Sequence, residues 1–316
     1  MSIYRVIRRN AAPMPWTPTI LGSALRAWYD PSDSSTLFTN ANGGSENLAG
    51  NGSAIRRISD KSGNNFFLRR DSSTGLTRAV NAINGLDALQ ATGSGYINTQ
   101  LLKPFGESSL AGLTVIHVRK TNPTTQPDSV DWSVAYSSYT GATGYDPRAS
   151  AMEARITDRS SGGPSGWVNP VAGFQRWIDG FRFPAYRDNV PRDSAVVMSS
   201  RWDGSGRTMS FWLNGVGGSG GAHITQGSQV WDWDNNANLS NFQVFQSVTP
   251  SSEKQISIGI EYGAAELHGY LGEYLFCNAA LSDSDRQKAE GYLAHKWGLA
   301  ANLPVGHPYK NAAPTA

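Results

Sequence analysis

Two tryptophans alternate with two aspartates in one short stretch, a pattern that is able to bind a sugar. In an extended chain Trp231 and Trp233 would lie on one side and Asp232 and Asp234 on the other, with Asn235 directly after them. Indole rings offer flat apolar faces to sugar C–H groups, and carboxylate and amide oxygens accept hydrogen bonds from hydroxyl groups. We therefore predict a glycan-binding cluster. The alternative is packed tryptophans beside a turn that Asp and Asn favour.

The same acidic residues are candidate calcium ligands. Asp232, Asp234 and Asn236 match the first three ligand positions of an EF-hand loop, but Ala237 stands where that loop needs glycine and Gln243 where it needs a bidentate glutamate. The EF-hand is therefore excluded, and Ca²⁺ is left as a weak alternative. We predict no metal site and no cofactor.

A second aromatic group is interleaved with arginines between residues 167 and 187. Rings beside guanidinium groups form a binding surface or a protein interface, and the alternative is a small core made by packed loops. We predict an interface that includes Trp177 and Arg182.

Residues 1–19 have the composition of an extended arm. Three prolines bracket Trp16, and proline at this density prevents a helix and favours an extended chain. Such an arm cannot bury itself and needs another surface to become ordered, unless it stays an unattached terminus. The residues predicted to dock on a partner are Tyr4, Arg5, Arg8, Arg9 and Trp16.

The usual catalytic motifs are missing from the chain. It contains no Gly-x-Ser-x-Gly, no His-Glu-x-x-His and no phosphate-binding loop, and its five histidines are scattered singly. Glu273 is an acid within the apolar segment Leu271–Cys277. A buried carboxyl group must be paired or protonated, so Glu273 is either a catalytic acid or a structural partner.

Short strands and turns are predicted to position these residues. Leu113–Val118 is rich in β-branched residues and predicts a central strand. Apolar residues alternate over 209–213, and Asn214-Gly215 then predicts a tight hairpin turn. The alternation that begins at Ile256 predicts a strand with one buried face. The segment Gly141–Asn189 is rich in Gly, Pro, Arg and Trp and predicts long loops.

One helix is predicted near the C-terminus. Ser282 occupies the N-cap position with Asp285 three residues later, and Gly298 ends the helix. The apolar face consists of Ala289, Tyr292, Leu293 and Trp297. A helix this short is marginal alone, so it must pack against a larger body.

Several segments together resemble concanavalin A-like lectin/glucanase (LamG-like) domains. The resemblance is carried by Gly269–Glu273, Ala280–Asp283 and Gly291–Leu299, with Leu25–Asp33 and Ile58–Asn64 near the start. It implies an all-β, concanavalin A-like jelly-roll β-sandwich of two antiparallel sheets with a short C-terminal helix. The predicted domains are an extended N-terminal arm over residues 1–19 and the sandwich over residues 20–316. Such domains occur in glycan binders, enzymes and bacteriophage particle proteins alike.

The resemblance also sets an expectation about catalysis. Glucanases of this fold carry Glu-x-Asp-x-x-Glu on one strand, and no such string occurs here; Glu261 and Glu266 have the wrong spacing. On this basis the sequence predicts a protein that is not an enzyme.

Composition narrows the class of partner. The net charge of +2 argues against nucleic acid, and a single cysteine, Cys277, rules out a disulfide within the chain. No apolar stretch has the length of a membrane span or the form of a signal peptide. We therefore predict synthesis in a host cytoplasm without export.

The functional prediction is a non-catalytic virion structural or adhesion protein at the surface of a phage tail or capsid. Its arm would bind other virion proteins and its lectin-like domain host cell-surface glycan, and a homo-oligomer is left open. Two alternatives remain: a glycan-cleaving depolymerase with a non-standard carboxylate pair, and a capsid decoration protein without a ligand.

Overall fold

The computed structural model describes residues 14–44, 48–71, 74–93, 96–99, 102, 104–105, 111–121, 129–135, 151–157, 171–177, 185–187, 190–191, 193–203, 205, 208–218, 230–232, 237–239, 256–259 and 267–316. Within these residues the strands are β1 (Leu25–Tyr29), β2 (Leu37–Phe38), β3 (Arg57–Ile58), β4 (Leu68–Arg69), β5 (Leu76–Ile83), β6 (Leu86–Gly93), β7 (Tyr96–Asn98), β8 (Gly112–Thr121), β9 (Ser129–Ala135), β10 (Ala151–Thr157), β11 (Val171–Trp177), β12 (Ala185–Arg187), β13 (Ala195–Asp203), β14 (Thr208–Leu213), β15 (Val216–Gly217), β16 (Val230–Asp232), β17 (Ala237–Leu239), β18 (Ile256–Gly259) and β19 (Leu267–Cys277). The helix α1 covers Asp283–Lys296, and 3₁₀ turns cover Pro18–Ala24, Ser34–Thr36 and Ala300–Asn302.

The strands described above form two large antiparallel sheets. One has eight strands in the order β15-β14-β13-β8-β19-β6-β5, with β1 also paired to β19. The other has nine strands in the order β12-β11-β10-β9-β18-β7-β4-β3-β2, and β16 pairs with β17 apart from both. The prediction of an all-β sandwich with a short C-terminal helix is therefore confirmed.

The main apolar core lies between the two sheets. On the central strand β8, Leu113 and Val115 join the same buried cluster as Ile58 and Ile258 of the nine-stranded sheet. Because side chains alternate along a strand, Ile116 and Val118 face the opposite way. They belong to a second buried cluster under the helix.

The helix α1 covers the outer face of the eight-stranded sheet. Its Leu293 and Trp297 are buried in the second cluster. The Ser282 hydroxyl accepts a hydrogen bond from the Asp285 amide at 3.1 Å, and Gly298, with φ of 68°, follows the last turn. The predicted cap, apolar face and end of the helix are thus confirmed. No helix in the described residues combines the length and apolarity needed to cross a membrane.

The prediction of long loops over Gly141–Asn189 is wrong. This region contains β10, β11 and β12, which form one side of the nine-stranded sheet. The alternation of Met152, Ala154 and Ile156 with polar residues is a strand pattern, and the Gly- and Pro-rich residues around it hid the pattern.

Trp16 is buried within its own chain and does not present itself to a partner. The Trp16 amide donates to the Pro314 carbonyl at 3.1 Å, and the Ala316 amide donates to the Met14 carbonyl at 2.9 Å. The indole is 2% exposed and lies 5.5 Å from the Tyr292 ring, measured between centroids. This burial corrects the prediction that Trp16 docks on another protein. Four further predicted docking residues lie outside the described residues: Tyr4, Arg5, Arg8 and Arg9.

Candidate functional site

The predicted glycan-binding cluster falls mostly outside the described residues. Trp231 and Asp232 lie in β16, where Trp231 stands opposite Asn238 of β17. Trp233, Asp234 and Asn235 are outside the described residues. Sugar binding by this cluster therefore stays a prediction.

The other predicted interaction residues are also only partly described. Trp177 ends β11 and stands opposite Ala151 of β10, and Arg182 lies outside the described residues. Among the residues that the structure describes, no three His, Cys, Asp or Glu side chains group together as a metal site would require.

Glu273 reaches the space between the sheet and the helix because β19 contains a bulge. Leu271 stands opposite Arg119 of β8 and Tyr274 opposite His117, so Gly272 and Glu273 together oppose the single residue Val118. A Cβ atom on Gly272 would lie 2.9 Å from the Val118 Cβ. Glycine is therefore required for this close approach.

Four donors surround the Glu273 carboxyl group. Its Oε1 accepts from Trp28 Nε1 at 2.6 Å and from the Tyr292 hydroxyl at 3.0 Å. Its Oε2 accepts from Lys296 Nζ at 2.5 Å and from Trp297 Nε1 at 3.1 Å. Burial, and secondarily the charge of Asp30, raise the pKa of Glu273 above its ordinary value although Lys296 opposes the shift.

Asp30 is a second buried carboxyl group beside Glu273. Its Oδ2 lies 2.8 Å from Lys296 Nζ and 2.9 Å from Lys61 Nζ. Burial alone would raise the pKa of Asp30, but the Lys296 ammonium and the hydrogen bonds from Lys296, Ser32 and Lys61 outweigh it, and the pKa is lowered.

Two carboxyl groups with pKa values pushed apart are the arrangement of an acid and base pair. A substrate cannot reach this pair, however, because the Glu273 side chain is 0% exposed and both of its oxygens already accept two hydrogen bonds. The open alternative for Glu273 is thus decided in favour of a structural partner. It holds α1 against β1 and β19.

A different set of polar residues crosses the nine-stranded sheet. In successive strands, register partners form one line that we call the polar row: Gln175, Glu153, Ser133, Ser257, Asn98, Arg69 and Arg57. The adjacent line of partners contains Ile258 and Ile97, which lie in the core between the sheets. Because neighbouring residues on a strand alternate between faces, four members of the row stand on the face away from the core: Ser257, Asn98, Arg69 and Arg57.

A second acid, Asp131, lies in β9, the strand next to that of Glu153. Trp132 is opposite Ala154 and Val130 opposite Arg155, which leaves Asp131 as an extra residue in β9. Diagonal neighbours on adjacent strands are about 7–8 Å apart, and bulges are frequent beside active sites. Carboxyl groups about 5–9.5 Å apart are able to act together on a glycosidic bond.

The burial of the residues differs along the polar row. Ser257 and Asn98 near its middle are buried, although they stand on the face away from the core. Arg57 and Arg69 at its end are partly exposed. The row therefore joins an enclosed centre to an open, positively charged end.

Comparison with known proteins bears on the fold. No protein-family model and no curated protein sequence matches the chain. Among solved structures it is similar to a GH54 α-L-arabinofuranosidase soaked with a cyclic sulfate inhibitor, with a TM-score of 0.53 and 13% identity over 92% of this chain and 66% of that one. It is also similar to a Trypanosoma rangeli sialidase bound to 2,3-difluoro-KDN, with a TM-score of 0.47 and 8% identity over 87% of this chain and 35% of that one.

A third similar structure is domain 4 of AbnA, a GH43 extracellular arabinanase from Geobacillus stearothermophilus in complex with arabinotriose, with a TM-score of 0.38 and 12% identity over 82% of this chain and 95% of that domain. The arabinofuranosidase shares the fold with this chain, and at 13% identity the likeness extends no further than the fold. The other two structures lie below a TM-score of 0.5 and carry no argument. The chain spans slightly less than two thirds of the arabinofuranosidase, at 66%.

The comparison corrects the prediction that the chain is not an enzyme. That prediction rested on the absence of Glu-x-Asp-x-x-Glu from the sequence. The arabinofuranosidase, an enzyme, has the same fold, so a missing local string is no ground for excluding catalysis. The resemblance to LamG-like domains and the phage origin find no support in these comparisons and stay predictions.

Proposed function

We propose that this chain is a glycan-processing β-sandwich that binds a polysaccharide over strands β9 and β10 of the nine-stranded sheet and hydrolyses it with Asp131 and Glu153. The observation that carries the proposal is the position of these two acids on the adjacent strands β9 and β10, beside a bulge in β9. The fold shared with a GH54 α-L-arabinofuranosidase supports it.

The chemistry needs only two carboxyl groups and water. One carboxyl group, in its protonated form, donates a proton to the glycosidic oxygen as the bond to the anomeric carbon breaks. The other, as a carboxylate, either takes a proton from the attacking water or bonds to the anomeric carbon until water displaces it. In both cases one water molecule is added across the bond, and the two carboxyl groups return to their starting forms.

The proposal is tested with Glu153→Gln and Asp131→Asn, which keep side-chain size and remove the acid. Each variant should release reducing sugar from a polysaccharide cleaved by the wild type at a rate about 10²- to 10⁴-fold lower. Binding of the same polysaccharide should persist. Asp193→Asn, which removes an exposed carboxylate outside the nine-stranded sheet, should keep full activity.

Two outcomes would overturn the proposal. One is undiminished hydrolysis by both Glu153→Gln and Asp131→Asn. The other is a wild-type protein that binds host polysaccharide, linear arabinan or sialylated glycan without cleaving any of them.

We further propose that the protein works at a virion surface and contacts host glycan there, with Trp231–Asn235 as an additional sugar contact. Residues 1–13, which contain the predicted docking residues Tyr4, Arg5, Arg8 and Arg9, would attach it to other virion proteins. Mass spectrometry of purified particles tests this placement, and absence of the protein from them would reject it.

A further inference from the structure

A cavity of about 280 Å³ lies on the outer side of the eight-stranded sheet, beside the end of α1. Its walls come from the turn between β5 and β6, from β8, from the start of β13 and from the 3₁₀ turn Ala300–Asn302. Ile83 and Leu299 form an apolar side, and both are buried in the cluster under the helix. Ligand clefts usually measure about 300–1,000 Å³, so this cavity has room for one sugar ring or a molecule of similar size.

The Asn84 side chain, in the wall of this cavity, is fixed by the end of the helix. Asn84 and Gly85 form the turn between β5 and β6, with φ of 49° and 85°. Asn84 Nδ2 donates to the Trp297 carbonyl at 2.8 Å, and carbonyl groups at the end of a helix lack a partner within it. Because a carbonyl oxygen only accepts, this bond fixes the orientation of the amide. Asn84 Oδ1 accepts no hydrogen bond from the residues that the structure describes.

Asn302 is arranged in the same way. Its Nδ2 donates to the Ala195 carbonyl at 3.4 Å and so joins the 3₁₀ turn after the helix to the start of β13. Its Oδ1, and the hydroxyl of Ser194 in the same wall, make no hydrogen bond within the described part of the chain. Groups that are held in place before a ligand arrives lose little freedom on binding. The cavity thus presents oriented amide oxygens and a hydroxyl group.

The charges in the wall of the cavity cancel. Lys120 Nζ lies 3.3 Å from Asp193 Oδ1, and both residues line the cavity. A charged ligand would lose water without gaining an unpaired opposite charge. The wall therefore favours an uncharged ligand that donates hydrogen bonds to amide oxygens. Sugar hydroxyl groups meet this requirement, since each donates one hydrogen bond and accepts others.

We propose that this cavity binds one neutral sugar unit, with hydroxyl groups that donate to Asn84 Oδ1 and Asn302 Oδ1 and pair with the Ser194 hydroxyl. The site goes beyond the proposed function, because it lies on the other sheet from Asp131 and Glu153 and takes no part in hydrolysis. It would hold the protein on a glycan while the nine-stranded sheet acts elsewhere on it.

The first test compares sugars that differ only in charge. D-Galactose is titrated beside D-galacturonate and D-galactosamine, and D-glucose beside D-glucuronate and D-glucosamine, with L-arabinose as a further neutral probe. Binding is measured by saturation-transfer difference NMR at neutral pH. At least one neutral sugar should bind with a Kd of about 1–10 mM, and its charged counterparts should bind about tenfold more weakly.

Substitutions assign this binding to the cavity. Ser194→Trp fills it and should remove the signal of the bound sugar, whereas Ser284→Trp adds the same ring at an exposed position of α1 and should bind as the wild type does. Asn302→Ala should weaken binding by about 3- to 10-fold, and it keeps the test independent of the larger substitution. Asn278→Ala, at an exposed asparagine outside the cavity, is its control. Thermal unfolding shows that each variant is folded.

Three results would overturn the inference: no binding of any neutral probe, equal or tighter binding of the charged counterparts, or binding that survives both Ser194→Trp and Asn302→Ala. These results are distinct from failure of the proposed function. Sugar binding that depends on Ser194 in a protein without hydrolytic activity would reject the catalytic pair and keep the cavity site. Hydrolysis that needs Glu153, in a protein whose cavity binds no sugar, would reject the cavity site and keep the enzyme.

Discussion

Glu273 connects parts of the chain that are far apart in sequence. Its carboxyl group accepts hydrogen bonds from Trp28 at the start of the sandwich and from Tyr292 and Lys296 of α1. Inside a protein such bonds are stronger than in water, and a donor left without its acceptor is costly. The residue therefore fixes how the helix sits on the sheet.

Removing this acceptor should destabilise the protein strongly. Glu273→Ala is expected to lower the free energy of unfolding by about 3–5 kcal/mol, because the Lys296 charge and two indole N–H groups lose their partner. Urea denaturation measures the change. Asp71→Ala, at an exposed ion pair, should cost less than about 1 kcal/mol. A loss below about 1 kcal/mol for Glu273→Ala would show that the hydrogen bonds of Glu273 do not hold the helix on the sheet.

Asp30 should make stability depend on pH on the acid side. Its pKa is lowered in the folded protein, so its contribution is fully present above the unfolded value of about 4 and is lost as pH falls through the folded value. Glu273 acts in the opposite sense, since its pKa is raised and its protonation favours the folded state.

The measurement compares the wild type with Asp30→Asn. The difference in unfolding free energy should be largest above about pH 5 and should shrink as the pH is lowered below about 4. Asp33→Asn, whose pKa is lowered by Lys61 and Ser35 against burial, should show the same trend at a more exposed position. A difference that stays constant down to pH 2 would contradict the assignment.

At the scale of elements, the bulge in β19 is what turns Glu273 toward the helix. Gly272→Ala should cost about 1–3 kcal/mol, because the added methyl group would press on Val118 and on Trp297, whose Cη2 would lie at 3.2 Å. Thermal unfolding measures the loss. Gly306→Ala is the matched control, since nothing lies within 4 Å of its added Cβ. Equal melting temperatures for the two variants would refute this account.

Elements with a local signal could be predicted from the sequence. The cap at Ser282 and the hairpin turn at Asn214-Gly215 depend on residues within one turn of each other, and both occur as predicted. The strand β10 was missed because Gly- and Pro-rich segments flank its alternating pattern.

The candidate site could not be predicted in this way. The polar row exists only because Ser133 pairs with Ser257 and Ser257 with Asn98, across more than a hundred residues of sequence. A single sequence carries no record of that register, so neither Glu153 nor Arg57 stood out. Trp16 was misassigned for a related reason, since its burial depends on Tyr292 and on the pairing with residue 314.

At the scale of the whole molecule, the two sheets differ in what lies on their outer faces. The helix and the residues around it cover the eight-stranded sheet, while the polar row lies on the nine-stranded sheet. Stability and the proposed hydrolysis are thus assigned to different sheets. Substitutions under the helix should change the unfolding free energy, and those of Asp131 and Glu153 should change the rate.

Substitution of Trp16 tests whether the chain around residue 16 contributes to the stability of the folded protein. Trp16→Ala should lower the unfolding free energy by about 3–5 kcal/mol, because a buried indole is lost from the cluster under the helix. Met14→Ala, two residues earlier and 73% exposed, should change it by less than about 0.5 kcal/mol. Chemical denaturation of both variants shows whether the segment that contains Trp16 stabilises the folded protein or is only loosely attached to it.

The antiparallel pairing of residues 14–16 with residues 314–316 has a mechanical consequence. A tether that pulls these two segments in opposite directions would open their hydrogen bonds one after another, as in a zipper, and each bond would yield at low force. The load would next reach Trp16 and the cluster under the helix.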